Sequence, residues 1–124
     1  MIIRESFPIS FENREIWVGC FDGLGDKSKI VKIKFLEEYK EIKLPSSPAL
    51  IAMNVYGTVI TCELAEIFIN TLNRNEKLIR KVAFSGLTKE GLRNIKSYIK
   101  TSNVQLNFAI NYFDDFEEAK EWLI

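Results

Sequence analysis

The sequence predicts a single α/β domain in which crossover helices cover a sheet, and three features predict it. Apolar, strand-like runs alternate with amphipathic helical stretches along most of the chain. The last third repeats a strand, turn and helix unit twice. Leu50 to Val55 is an almost continuous apolar run, as expected of a central strand covered on both faces. At 124 residues the chain has the length of one domain with one core. Its 47% apolar and 27% charged residues are ordinary globular usage, which excludes a disordered chain.

Taken in order, Glu15 to Phe21 reads as a strand rich in Ile, Trp, Val and Phe, and Asp22-Gly23-Leu24-Gly25-Asp26 ends it with turn chemistry. The stretch from 27 to 43 fits two patterns. Val31, Ile33 and Phe35 alternate with lysines as in a strand, whereas Val31, Phe35, Tyr39 and Ile42 recur at helical spacing. Glu37-Glu38-Tyr39-Lys40-Glu41 favours a helix from about Lys27 to Lys43, stopped by Pro45. After the Leu50–Val55 strand, Gly57 breaks the run, and Leu64, Phe68 and Leu72 mark a helix from Thr61 to Arg74.

Lys81 to Phe84 is a short buried strand, Ser85-Gly86 turns the chain, and Leu92, Ile95 and Ile99 mark a helix to about Lys100. Leu106, Phe108, Ile110 and Tyr112 alternate with polar or small residues, which suits a strand near an edge. Asp115 with Glu118 three residues on fits a capping box, and Phe116, Ala119 and Leu123 supply the buried stripe of a closing helix. That helix is too short to persist undocked, so Trp122 is expected to clamp it to the domain.

Composition narrows the function classes. No signal-like or membrane-spanning stretch is read in the chain, and Cys20 and Cys62 have neither zinc nor redox spacing, so a reducing, cytoplasmic setting is expected. The formal net charge of zero argues against generic nucleic-acid binding. That sum hides an asymmetry: residues 1–26 carry −3, residues 27–100 carry +7 and residues 101–124 carry −4.

The order of strand, Ala83-Phe84-Ser85-Gly86-Leu87, helix and strand, followed by the Phe113-Asp114-Asp115-Phe116-Glu117-Glu118-Ala119-Lys120-Glu121-Trp122-Leu123 ending, resembles the bacterial STAS-like family. STAS denotes the sulfate transporter and anti-sigma-factor antagonist domain. The resemblance is strongest from about Leu50 onward. It implies a mixed sheet with helices mainly on one side, and roles in protein–protein regulation or apolar-ligand binding. Regulatory STAS proteins carry an Asp-Ser-Ser-Gly-like or Asp-Thr-Ser-Gly-like turn whose first hydroxyl is phosphorylated. Neither Asn54-Val55-Tyr56-Gly57-Thr58 nor Ser85-Gly86-Leu87-Thr88 reproduces it, which leaves that switch without its motif.

The absence of histidine removes the Ser-His-Asp and Cys-His nucleophile systems and the common zinc-hydrolase sites, so an enzyme would need carboxylate, lysine or thiolate chemistry; that is the third reading, and no enzyme, metal or cofactor is expected. Glu37-Glu38 and Asp114-Asp115 read as solvated surface and capping. Cys62 would sit in the first turn after Thr61, where unpaired N–H groups favour a thiolate; the plainer reading makes it a small core hydrophobe. Met53, Phe68, Phe84 and Phe108 read as core.

Asn54, Tyr56, Gly57, Thr58, Ser85 and Gly86 lie where strands hand over to helices, and they converge if the two strands are parallel neighbours. Ligands bind at that end of open parallel sheets, although each loop also reads as a simple turn and cap. Lys89, Arg93, Lys96 and Lys100 form one basic stripe at i, i+4, i+7 and i+11, either a solvated face or a contact for an acidic partner or a membrane surface. The expected role is a non-enzymatic regulatory or protein-interaction module of STAS-like type, acting on a protein partner or on itself. The alternative is a carrier or sensor of a small apolar or amphipathic, lipid-like ligand.

Overall fold

A computed structural model describes residues 2–124. The elements run β1 (Phe7–Phe11), β2 (Arg14–Cys20), α1 (Ser28–Tyr39), β3 (Ala49–Asn54), α2 (Cys62–Arg74), a short 3-10 turn (Glu76–Leu78), β4 (Ile79–Ser85), α3 (Lys89–Thr101), β5 (Ala109–Phe113) and α4 (Phe116–Leu123). The five strands form one mixed sheet in the order β1-β2-β3-β4-β5. β1 is antiparallel to β2, and the remaining pairs are parallel. Three successive crossovers that each move one strand along in the same hand must place their helices on one face. Accordingly, α1, α2 and α3 cover one side and α4 the other.

The helix-covered side holds the main core. On α1, Val31, Phe35 and Tyr39 are fully buried at the spacing of one helical face, so the helical pattern prevails over the strand-like one. Phe35 and Phe68 approach to 4.3 Å between ring centroids, and Phe68 also meets Phe21 and Phe84 at 6.3 Å each. Met53, Phe68, Phe84 and Phe108 all lie in this core, as their sequence setting predicts. On the other side α4 lays Ala119 and Leu123 over Ile16, Leu50, Ala52 and Ala83, the small residues letting the helix approach the sheet. Trp122, half-buried, packs on Phe113 at 5.9 Å while Lys81 Nζ donates to its carbonyl at 3.0 Å, so α4 is docked.

Four local features differ from the sequence expectations. β1 has no predicted counterpart: Phe7, Ile9 and Phe11 alternate as a strand should, but Pro8 and a turn without glycine mask the hairpin. Glu12 and Asn13 make that turn with φ of 51° and 62°. α1 ends at Tyr39 instead of continuing to Lys43, because Asn75 Nδ2 takes the Tyr39 carbonyl at 3.0 Å and Ile42 and Leu44 fold back onto the core. β5 begins at Ala109, since Val104, Leu106 and Phe108 pack inward before the ladder starts; it is an edge strand. Asp115 caps α4 by accepting from the Glu117 N–H at 2.8 Å, but no return bond from Glu118 completes a box among the described residues.

Two tyrosines make the core sensitive to alkali. Burial, ahead of the nearby Glu38 charge, pushes the Tyr39 phenol well above its ordinary value, and burial pushes Tyr112 up to about 12. Both phenols are neutral in the fold, whereas in the unfolded chain they ionise near pH 10. Stability is therefore intact through neutral pH and falls as pH rises above about 10, with the Tyr112 contribution to that loss complete near 12. A tyrosinate absorbance titration of native protein is expected to show a step near 12 that Tyr112→Phe removes. Ionisation of Tyr112 near pH 10 in the folded protein would contradict this burial.

Candidate loop platform at the sheet's C-terminal edge

β3 and β4 are parallel neighbours, with Asn54 opposite Ser85 at their ends. The condition for the two predicted loops to converge is therefore met. The ladder does not stop at the strand ends. Phe21 N–H donates to Asn54 O at 2.9 Å, Gly23 N–H to Tyr56 O at 2.7 Å and Gly25 N–H to Gly57 O at 2.9 Å. Val55 N–H donates to Ser85 O at 3.0 Å and Gly86 N–H to Phe113 O at 3.0 Å. Loops that are usually the mobile part of a domain are thus laced into one continuous backbone network.

Side chains lock the same region. Thr58 is buried at 2% exposure, its Oγ1 accepting from Leu24 N–H at 3.1 Å while its hydroxyl donates to Phe21 O. Both functions of that hydroxyl are spent on holding the β2 loop to the β3 loop. Asn54 Oδ1 accepts from Tyr56 N–H at 3.3 Å, shaping the turn that Gly57 completes at φ +68°. The Tyr56 ring lies across Gly86, where an added Cβ would come within 2.4 Å of the ring, and its hydroxyl donates to Asp114 O. Burial first, and then the Asp115 and Asp114 charges, push the Tyr56 phenol up. Ser85 is wholly buried and its hydroxyl has no partner among the described residues.

Two apolar side chains project from the platform, Tyr56 at 39% and Val59 at 46% exposure, among exposed Gly23, Gly25 and Gly57 and bordered by Asp26 and Asp114. Val59 is held by its own N–H, which donates to Gly25 O at 2.9 Å. Neither the contribution of the Phe21–Gly25 loop nor Val59 is visible in the sequence pattern, because both follow from strand order. The Asp-Gly-Leu-Gly-Asp turn was the available signal. The hollows large enough for a small molecule are surface grooves, such as one of about 420 Å³ between α1 and α2 lined by Lys32, Glu63, Glu66 and Arg74.

The other predicted residues lie elsewhere. Cys62 is exposed at the start of α2, so the core reading of this thiol does not hold; its Sγ is 3.4 Å from Asn94 Oδ1. Cys20 is the buried cysteine, and burial pushes its thiol pKa up. A thiol reagent is therefore expected to label Cys62 in native protein and to reach Cys20 only on unfolding. Comparable native labelling of both would contradict the placement.

Glu38 is not solvated as its sequence setting suggests, because it pairs with Lys34 at 2.5 Å across one helical turn. Lys89, Arg93, Lys96 and Lys100 are all exposed on α3. The acidic α4 lies on the opposite face of the sheet, and no ion pair joins the two helices among the described residues. Among those residues no group of three or more Cys, Asp or Glu side chains is placed to hold a metal ion, and no helix is long and apolar enough to cross a membrane. In comparisons with protein-family models, curated proteins and solved structures, none matches this chain.

Proposed function

We propose that the chain is a STAS-like, non-enzymatic interaction module whose contact surface is the loop platform at the C-terminal edge of the sheet. The observation that carries this reading is the pairing of exposed Tyr56 and Val59 with a backbone network that fixes them in place. Exposed apolar side chains held without freedom are good anchors, since little ordering entropy is lost when a partner covers them. The polar groups of the platform are largely committed to the protein itself: Thr58 to two backbone groups, Asn54 to its turn and Tyr56 to Asp114. That suits a preformed surface better than a reaction centre.

The carrier reading has less support. The space between sheet and helices is occupied by Phe21, Phe35, Tyr39, Phe68 and Phe84, and the groove between α1 and α2 sets Leu36 and Ile67 among Lys32, Glu63, Glu66 and Arg74 and lies open to solvent. A lipid-like ligand needs an apolar, enclosing site. A thermal-shift screen against lipids, nucleotides and organic acids separates the two functions, because a ligand at a hundred times its dissociation constant adds about 2.7 kcal/mol of stability. The interaction module predicts no stabilising hit and a bound protein that Val59→Asp releases without lowering the unfolding midpoint. A saturable lipid hit, insensitive to Val59→Asp, would replace this reading with the carrier.

A further inference from the structure

The β5 side of the molecule combines an open sheet edge with a one-sided charge. α3 turns Asn94 and Tyr98 toward α2 and the loop before it, where they donate to Ile60 O at 2.9 Å and Asn70 Oδ1 at 2.8 Å, and it buries Ile95 in the core. At about 100° per residue, Lys89, Arg93, Lys96 and Lys100 then fall on the flank away from α2, above the β5 edge. Lys96 Nζ confirms the placement, lying 5.3 Å from the Tyr112 ring centroid. None of the four cations has a carboxylate within 4.0 Å among the described residues.

β5 itself pairs only with β4, leaving its other side without a strand. Because Phe113 O points to Gly86 N–H, alternation turns the backbone groups of Ile110 and Tyr112 outward. The outward Tyr112 N–H is covered only by the neighbouring Asn111 side chain, Oδ1 at 2.9 Å, a local bond that an incoming carbonyl replaces while the amide returns to water. At the C-terminal end of β5 the charge reverses: Asp114 and Glu118 border a hollow there with Leu87, Leu92, Tyr112 and Phe113.

This arrangement selects its occupant. A membrane surface or a nucleic acid presents negative charge broadly and would meet Asp114 and Glu118 as well as the basic stripe. A second copy paired antiparallel through β5 would bring one basic stripe against the other. An extended segment has two faces of alternating side chains, so one face can be acidic while the other is not. We propose that the β5 edge accepts an extended acidic segment of a partner protein as a sixth strand, its carboxylates facing the α3 stripe. The proposal rests on the interaction reading but does not use its exposed anchors, Tyr56 and Val59.

The test is fluorescence anisotropy of the full chain with a labelled, end-capped peptide alternating glutamate and valine. Saturable binding is expected, weakening as salt rises. It should fall by about tenfold or more for a lysine-for-glutamate peptide, for a fully N-methylated peptide that keeps its charges but cannot pair, and for Arg93→Glu with Lys96→Glu. Circular dichroism of that variant should match the parent and its midpoint should stay within a few degrees of it, since neither cation has an internal ion pair among the described residues and Lys96 loses only its exposed contact with the Tyr112 ring. Val59→Asp should bind the peptide normally, which separates this edge from the platform. Equal binding of the N-methylated or lysine peptide, unaltered binding by the double variant, or no saturable binding would overturn the proposal. Preferential capture by phosphatidylserine vesicles or RNA would also overturn it. A failed peptide leaves the platform reading standing, and a silent platform leaves a positive peptide result standing.

Discussion

Phe68→Ala is expected to lower the unfolding free energy by about 4 kcal/mol, the middle of the range for a buried aromatic. Phe68 is fully buried on α2 and touches Phe35 of α1, Phe84 of β4 and Phe21 at the end of β2. It therefore joins two helices to two strands through one ring. Small domains hold about 5 to 15 kcal/mol in total, so the loss would remove a large share. Denaturant unfolding gives the value directly, and a change below about 1 kcal/mol would mean that the aromatic cluster is not the centre of the core.

Gly86→Ala is expected to have the second largest effect, about 2 kcal/mol of stability together with displacement of Tyr56. Two causes act at the same residue. Gly86 has φ +85°, a conformation that costs an L-residue about 1 to 2 kcal/mol, and its Cβ would meet the Tyr56 ring at 2.4 Å. The contact is with the root of the ring, so Tyr56 must swing away and release Asp114 O. The unfolding midpoint reports the first effect. A changed Tyr56 environment, read by NMR, reports the second; an unmoved ring with parent stability would contradict the described packing.

The sequence exposes the alternation of strands and helices because periodicity records which residues face a core. Val31, Phe35 and Tyr39 do so for α1, and Leu64, Phe68 and Leu72 for α2. It hides what tertiary partners decide. The end of α1 depends on Asn75, thirty-six positions away, and the β1 hairpin depends on a turn in which Asn13 is a residue type that tolerates positive φ but Glu12 is not. At the platform, Asn54, Tyr56, Gly57, Thr58, Ser85 and Gly86 are legible as strand-to-helix turns. Their roles are not, because Thr58 points inward to Phe21 and Leu24 while Val59, with no motif at all, is presented outward.

The most direct test of the interaction module is site-specific photo-cross-linking in the native cell. A benzophenone side chain replaces Val59 on the platform in one variant and Ile33, 58% exposed on α1, in a control. Both positions are solvent-facing, so folding should not distinguish them. The account predicts a discrete protein adduct from position 59, absent from position 33 and lost when Gly86→Ala is added. Adducts from position 33 alone, or none from position 59 while the protein is folded and abundant, would contradict it.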